Sequence, residues 1–164
     1  MLIRPATEAD AGAITAIYNE GIADRVATFE TRPREIHEVA AWRSGGLPLL
    51  VAEEEGALLG FARVAEYSDR CVYAGVGEHG VYVARAARGR GVGRRLLEAL
   101  AAASEQAGYY KLTSRVFADN AASRAVHLAA GFTEVGIQRR HGRLDGEWKD
   151  CVLVERLLGE AADD

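Results

Sequence analysis

The amino-acid sequence predicts a single α/β domain in which helices cover both faces of one mixed sheet. Strand-like and helix-like segments follow one another in the order β-α-α-β-β-β-α-β-α-β-β, which is typical of such a sheet. A length of 164 residues suits one domain with a substantial core. A glycine-rich loop over 88–93 joins a strand to a helix near the middle of the chain. We therefore expect one domain over residues 1–159 and a frayed tail over 160–164.

The first part of the chain predicts one strand and two helices. Residues 2–4 form a short apolar segment that Pro5 closes, as expected of a strand. Thr7 is a good N-cap, and apolar residues recur behind it at helical spacing. A second helix is predicted after Pro33, which suits a first helical turn, and it ends at the glycine pair 45–46.

The middle of the chain predicts three strands. The first two, 47–53 and 57–66, flank a hairpin turn over 54–56. The third is a long strand over 72–84 that contains several glycines, and glycine inside a strand marks a bulge or a close backbone approach. These glycines are Gly75, Gly77 and Gly80. They surround a single acidic residue, Glu78.

The rest of the chain predicts two helices and three strands. The helix behind the glycine-rich loop carries leucines at helical spacing and ends at Gly108. A second helix opens at Asn120. A turn is expected over 141–146. The strands are 109–117, 132–140 and 148–158.

Composition and charge argue against several classes of protein. The net charge of −4 makes a general nucleic-acid partner improbable. The N-terminal residues contain no long apolar run, so we expect neither a signal peptide nor a membrane span. Cys71 and Cys151 lie far apart in apolar surroundings, which favours two reduced, buried thiols in a cytoplasmic protein. The four histidines lack the spacing of metal ligands, so we expect no metal.

The loop over 88–93 reads Arg-Gly-Arg-Gly-Val-Gly and predicts an anion-binding cradle. Alternate glycines let successive N–H groups point into one concavity, and the helix N-terminus behind them adds unpaired N–H groups. Neighbouring arginines supply full charges. A P-loop would need Lys and Ser or Thr where Arg94 and Arg95 stand, and a dinucleotide-binding loop would need its third glycine at Arg94. A glycine-rich turn that binds nothing is the remaining alternative.

The chain resembles the GNAT acetyltransferases over nearly its whole length. Residues 88–93 match the family's pyrophosphate loop, Arg/Gln-x-x-Gly-x-Gly/Ala. Residues 120–123 and 127–132 are similar to the family's motif N-x-x-S-x-x-L-[HY]-E-x-x-G-F, with His127-Leu128 in place of the commoner His-Glu. The resemblance implies the GNAT fold, with a mixed and mostly antiparallel sheet, and acetyl-CoA as co-substrate.

Four further stretches resemble the phosphinothricin and arsinothricin N-acetyltransferase branch of that family. They are 17–31, 70–73, 78–83 and 146–150. Members of this branch acetylate the α-amino group of small glutamate-like amino acids with a phosphinate, arsinate, sulfone or sulfoximine side chain, and they are usually homodimers. The resemblance implies the same activity and assembly here, although Lys149 stands where close relatives often have His.

The resemblance also implies roles for particular residues. Glu78 matches the proposed general base. The implied substrate pocket consists of Phe29, Arg70, Tyr73, Glu78 and Tyr82, with Arg70 as the candidate for an anionic substrate group. From the residues alone, packing against the core is the commoner role for Phe29. The implied cofactor contacts are Val81, Tyr82, Val83, Arg88, Gly89, Arg90, Gly91, Val92, Gly93, Arg94, Asn120, Ser123 and His127, the first three through their backbone.

An amine must lose its proton before it attacks a thioester, and Glu78 is the candidate base. A carboxylate in a glycine-lined, partly desolvated bulge becomes a better base; a solvated edge-strand glutamate is the alternative. His127 stands where many GNAT enzymes carry a tyrosine proposed as an acid, and a packing role is its equal alternative. No serine or cysteine has a convincing base beside it, so we expect direct transfer in a ternary complex.

The leading hypothesis is therefore acetylation of phosphinothricin-like or arsinothricin-like toxins, which confers resistance. The same machinery acting on another small amine, or on methionine sulfone or sulfoximine, is the alternative within the enzyme class. A non-catalytic acetyl-CoA-binding sensor module is an alternative from another class. A dinucleotide-binding protein is a distant third.

Overall fold

A computed structural model describes residues 1–163 of the chain. It contains one seven-stranded sheet in the order β1-β2-β3-β4-β5-β7-β6. The strands are β1 (Leu2–Pro5), β2 (Leu49–Glu54), β3 (Ala57–Glu66), β4 (Val76–Val83), β5 (Lys111–Phe117), β6 (Thr133–Leu144) and β7 (Glu147–Leu157). The α-helices are α1 (Ala11–Asp24), α2 (Ile36–Ser44), α3 (Val92–Gln106) and α4 (Ala121–Ala129). Only β4 and β5 pair in parallel, so the predicted mixed, mostly antiparallel sheet is confirmed.

Helices pack on both faces of the sheet because the strands alternate their apolar side chains between the two faces. In β3, Phe61 packs with residues of α1 and α2 such as Ile14 and Val39. Its neighbour Ala62 packs on the opposite face with residues of α3 such as Leu96. The sheet therefore separates two cores, and β3 and β4 lie between them.

The glycines of β4 serve close packing and do not form a bulge. Pairing between β3 and β4 runs without a shift from Gly60–Val83 to Glu66–Gly77, so the predicted bulge is wrong. A Cβ atom on Gly77 would lie 2.7 Å from a methyl group of Val64. One on Gly75, just before the strand, would lie 2.2 Å from the ring of Tyr110. The alternative expectation, a close approach, is therefore the correct one.

The predicted long strand over 72–84 begins later than expected. Residues Cys71–Tyr73 form a 3-10 turn, and β4 starts only at Val76. Cys71 is exposed on this turn, so its predicted burial is wrong, whereas Cys151 is buried as expected. Both cysteines are free thiols.

The last hairpin also differs from the prediction. β6 continues through the expected turn at 141–146 to Leu144, and the chain reverses at Asp145-Gly146, where both residues have positive φ. Pairing between β6 and β7 shifts between Gln138 and Gly142, so the intervening residues form a bulge. Residues Gly159–Ala162 form a 3-10 turn where the frayed tail was expected, and the last residue of that tail, 164, lies outside the described residues.

The feature that creates a site is the separation of β4 from β5. These strands pair only over Val76–Glu78 and Lys111–Thr113. β4 then runs on to Val83 paired with β3 alone, while β5 runs on to Phe117 paired with β7. The diverging strands open a wedge in the middle of the sheet, with unpaired backbone along one edge of β4.

Candidate active site

A cavity of about 460 Å³ lies in the wedge between β4 and β5. Its walls come from Glu78–Tyr82 of β4 and Ser114–Phe117 of β5. The connection behind α1 contributes Phe29, α4 contributes His127, and β6 contributes Gly142 just after its bulge. Residues distant in the sequence therefore meet at the point where the sheet splits.

The glycine-rich loop lies where β4 ends and α3 begins, and it has the geometry of an anion cradle. Gly89 and Gly91 have φ values of 79° and 78°, which favour glycine. Gly91 is the N-cap of α3. Within residues 1–163, no protein acceptor takes the six consecutive N–H groups from Gly89 to Arg94. This row of free donors at a helix N-terminus fits a diphosphate.

The arginines of the loop contribute less free charge than the sequence suggested. Arg88 donates to Asp24 at 2.8 Å. Arg90 and Arg94 donate to Glu54 and Glu98 respectively. Such exposed pairs are weak and can exchange partners, so the backbone N–H groups carry the cradle and the arginines supplement it.

The side chain of Tyr82 points away from the cradle. Its ring stacks on Phe61 with centroids 5.3 Å apart and meets Tyr18 edge-on at 5.0 Å. Burial raises the pKa of Tyr82, so the phenol stays neutral. On the opposite face, Val81 and Val83 pack against the α3 core. Because Tyr82 and the two valines project to the faces of the sheet, the free backbone edge of β4 stays accessible from the wedge.

Glu78 is the last residue of β4 that pairs with β5. It lies in a regular strand, and its side chain is 42% exposed, so the predicted desolvated bulge does not describe it. Nε of Arg115 donates to Gln138, while another guanidinium nitrogen of Arg115 lies 3.8 Å from the Glu78 carboxylate. Glu78 lines the wedge cavity where β4 and β5 begin to part, whereas the cradle follows the other end of β4.

The model of the acetyltransferase (GNAT) family matches residues 14–132, which include the cradle, the wedge and Glu78. The chain belongs to the GNAT family. The predicted fold class is therefore confirmed. Acetyl-CoA is its co-substrate, and the chain is an acetyl-CoA-dependent N-acetyltransferase.

Relatives of this GNAT enzyme share most of its length. The phosphinothricin N-acetyltransferase of Alcaligenes faecalis is 38% identical over 95% of this chain and 82% of that protein. The L-methionine sulfoximine/L-methionine sulfone acetyltransferase of Salmonella typhimurium is 32% identical over 99% and 97%. A crystal structure of a phosphinothricin acetyltransferase from Sinorhizobium meliloti in complex with AcCoA superposes with a TM-score of 0.91, at 32% identity, over 99% and 91%. The resemblance to the phosphinothricin branch is confirmed.

Phe29 packs against the core and also lines the wedge cavity, and its contact with the substrate stays a prediction. Its ring packs edge-on against Phe117 with centroids 4.8 Å apart, and it also lines the wedge cavity of the GNAT enzyme. Gly142 makes this position possible, because a Cβ atom there would lie 2.8 Å from the Phe29 ring. The part of β6 that follows its bulge, which sequence reasoning read as a turn, therefore shapes one wall of the cavity.

Gly142→Ala is expected to displace Phe29 and raise the KM for the amine substrate several-fold, because the new methyl group overlaps the ring. Overpacking of this kind costs about 1–3 kcal/mol of stability. The matched control is Gly136→Ala in the same strand, where a Cβ atom meets nothing within 4 Å. Steady-state kinetics that showed the same KM for both variants would contradict the assignment of Phe29 to the pocket.

Arg70 and Tyr73 are not brought into the wedge. Tyr73 borders a separate cavity of about 290 Å³ that also reaches Glu78. Arg70 is exposed, and its guanidinium lies 5.5 Å from the centroid of the Tyr73 ring. Within one chain, the candidate for an anionic substrate group therefore lies outside the cavity that holds Phe29.

Asn120 and Ser123 build the start of α4 beside the wedge. The Asn120 side chain accepts from the Ser123 N–H at 3.1 Å and donates to the Val26 carbonyl at 2.8 Å. It thereby caps the helix and holds the connection that carries Phe29. A bond from Asn120 to the cofactor remains a prediction, and the side chain keeps a second N–H and a second oxygen lone pair with which to make it.

His127 forms a buried pair with His79, a residue that sequence reasoning did not assign to the site. Their Nε2 atoms lie 2.9 Å apart. Nδ1 of His127 donates to the Ser123 carbonyl at 2.8 Å, so its Nε2 accepts from His79. Burial, followed by repulsion from His127, lowers the pKa of His79 to about 3, and burial lowers the pKa of His127. Both rings are therefore neutral, and both nitrogens of His127 have protein partners.

The histidine pair predicts a loss of stability in mild acid. Both groups bind protons more weakly in the folded than in the unfolded chain, so their contribution is complete above the ordinary pKa of 6.5 and is lost as the pH falls toward about 3. From pH 8 to pH 5 we expect the free energy of unfolding to fall by about 2 kcal/mol through His79, and His127 adds a loss of the same sign. Carboxylates such as Asp10, whose pKa is lowered to about 2, titrate below this window.

Urea denaturation across this pH range tests the pair. His79→Asn should make the free energy of unfolding less dependent on pH. His37→Asn, at an exposed position in α2, should leave the pH dependence of wild type unchanged. Equal slopes in the three proteins would show that the pair does not titrate as described.

Within residues 1–163, no three histidine, cysteine or acidic side chains cluster in a way that suits a metal ion. No described helix is long and apolar enough to cross a membrane.

Proposed function

We propose that this GNAT enzyme acetylates the α-amino group of a small amino-acid-like substrate of the phosphinothricin type, and so confers resistance to such toxins. One observation carries the proposal: Glu78 lines the wedge at the point where β4 leaves β5, on the strand that leads to the cradle. The cradle and the wedge would hold acetyl-CoA along β4 and bring its far end to Glu78. The names of the relatives from Alcaligenes faecalis and Salmonella typhimurium support the substrate class.

Acetyl-CoA supplies an activated acetyl thioester. Glu78 would accept a proton from the substrate ammonium group, directly or through a water molecule, because an ammonium ion has no lone pair. Its side chain is 42% exposed, and the residue lines both the wedge cavity and the neighbouring cavity that a substrate would enter. The free edge of β4 would hold the cofactor arm by main-chain hydrogen bonds, as an added strand does.

Direct transfer without an acetyl-enzyme fits the side chains of the cavity. Cys151 is the one cysteine that borders it among residues 1–163, and burial raises the pKa of this thiol, which keeps it protonated. Ser123 Oγ lies 3.4 Å from Nδ1 of His127, but that nitrogen donates to the Ser123 carbonyl and is not free to act as a base. Neither residue has the setting of an activated nucleophile.

A thiol-release assay tests the proposal. Acetyl-CoA is offered with phosphinothricin, arsinothricin, methionine sulfone, methionine sulfoximine and simple primary amines, and acetylated products are identified by mass. We expect the amino-acid analogues to be preferred. A preference for amines without a carboxylate would favour another small-amine acetyltransferase, and binding of acetyl-CoA without turnover of any amine would favour a sensor module.

We further propose that the enzyme is a cytoplasmic homodimer. β6 is an edge strand of the sheet, and its Val135 and Ile137 are 52% and 60% exposed. Exposed apolar side chains on an edge strand favour contact with a second chain. Light scattering of the purified protein should give the mass of two chains.

A further inference from the structure

Arg63 of β3 is a half-buried cation for which the described part of the fold provides no acidic partner. It is half-buried on the face covered by α1 and α2, and its guanidinium lies 3.9 Å from the centroid of the Trp42 ring. No acidic side chain among residues 1–163 lies within 4.0 Å of it. Burial lowers the pKa of Arg63, yet guanidinium remains charged at any physiological pH. A partly desolvated cation without an anion is costly.

A cleft of about 180 Å³ opens beside this guanidinium. Arg63 lies directly opposite Gly80 in the β3–β4 pairing, so Glu78 and Tyr82 are its diagonal neighbours on the same face. Because Gly80 has no side chain, the space between these neighbours is open. The cleft shares Glu78, His79, Gly80 and Tyr82 with the wedge cavity. Glu78 therefore lines both cavities. Arg63 approaches it from the β3 edge of β4, whereas the wedge lies along the β5 edge.

We propose that Arg63 binds the α-carboxylate of the substrate while Glu78 receives the proton of its α-amino group. This inference rests on the proposed function and deepens it, because it restricts the substrate to α-amino acids and assigns the residue that recognises them. Stacking on Trp42 fixes the plane of the guanidinium and leaves its edge free for two parallel hydrogen bonds to a carboxylate.

The dimensions of an α-amino acid suit this pair of residues. Its nitrogen and carboxylate carbon are about 2.5 Å apart by standard bond lengths and angles. With a hydrogen bond of about 3 Å at each end, the residue that binds the carboxylate and the residue that binds the amino group must occupy neighbouring positions on one surface. Diagonal positions in an antiparallel pair, about 7–8 Å apart, meet this requirement.

The other arginines near Glu78 are less suited to the carboxylate. Arg115 already donates to Gln138 and approaches Glu78 itself. Arg70 is exposed on the loop before β4 and borders neither the wedge nor the Arg63 cleft. A role for Arg70 at the side-chain end of the substrate is compatible with this assignment, because Arg63 would bind the α-carboxylate at the other end.

The test compares Arg63→Met, Arg63→Lys and the control Arg139→Met, an exposed arginine of β6. Each is assayed with phosphinothricin, methionine sulfone and the decarboxylated amine of each. Because Arg63→Met removes a bidentate bond to a charged group, we expect kcat/KM to fall about 100-fold for both amino acids, mainly through KM. The rates with the decarboxylated amines should not change, and Arg63→Lys should be intermediate.

Several results would overturn the assignment. Equal losses for amino acids and amines would mean a structural role, and a loss for phosphinothricin alone would mean that Arg63 binds the side-chain anion. No change in any rate would mean that Arg63 does not touch the substrate. Stabilisation by acetyl-CoA, followed as the shift in Tm, should match wild type in every variant and shows that each is folded. A wild-type enzyme that acetylates amines but no amino acid would instead contradict the proposed function, and with it this inference.

Discussion

Glu78→Gln is expected to lower kcat by about 10²–10⁴-fold, because removal of a general base typically costs that much. The amide keeps the size and shape of the side chain but cannot accept the proton. Glu78 lies where β4 and β5 begin to part, whereas the cradle follows the other end of β4, so the affinity for acetyl-CoA should be unchanged. The deficit should also shrink as the pH approaches the pKa of the substrate amine, since a neutral amine needs no base.

The control is Glu66→Gln, which changes an exposed glutamate at the end of β3. Its kcat should equal that of wild type. Steady-state rates across pH, together with calorimetric titration of acetyl-CoA, give the full comparison. A Glu78→Gln enzyme with wild-type kcat at neutral pH would show that another group or water removes the proton.

Gly91→Val is expected to weaken binding of acetyl-CoA by about 10–100-fold, the equivalent of one or two lost hydrogen bonds to a charged group. Gly91 has a φ of 78° at the N-cap of α3, a conformation that a β-branched residue avoids. The loop must therefore change its dihedral angles, and the row of free N–H groups no longer converges on one point.

The matched control is Gly46→Val. Gly46 has a φ of 74° after α2, and a Cβ atom at either glycine meets nothing within 4 Å. Both variants should lose about 1–2 kcal/mol of stability through strain, but only Gly91→Val should lose affinity in a titration with acetyl-CoA. Equal affinities in the two variants would remove the cradle from the proposed binding site.

The cradle was predictable because it is local. Its six donors belong to consecutive residues, and the preference of Gly89 and Gly91 for positive φ is a property of single residues. Glu78 stands out as an acidic residue in a strand rich in glycine, but its role as a base rests on the resemblance to the phosphinothricin branch and stays a prediction. The ion pairs of the loop arginines were not predictable, because their carboxylate partners, such as Asp24, come from other elements.

Errors in the predicted boundaries arose where tertiary contacts override local preference. The first four residues of the turn predicted over 141–146 are part of β6, because a bulge absorbs the irregular residues before them and the Asp150 side chain accepts from the Arg140 N–H at 2.7 Å. From the sequence alone, the glycines in and before β4 indicated a bulge as well as they indicated a close backbone approach. The ring of Tyr110 and the side chain of Val64, which occupy the space beside them, decide the outcome.

The sequence by itself determined the kinds of element, their order, the anion cradle and the acidic residue upstream of it. These features depend on periodicity and on the dihedral preferences of neighbouring residues. Only the tertiary structure decided that β4 separates from β5 after Glu78, that His79 meets His127, and that Arg63 lies across from Gly80. Each of these joins residues that are distant in the chain, and strand order and register, which bring them together, are set by the packing of the whole sheet.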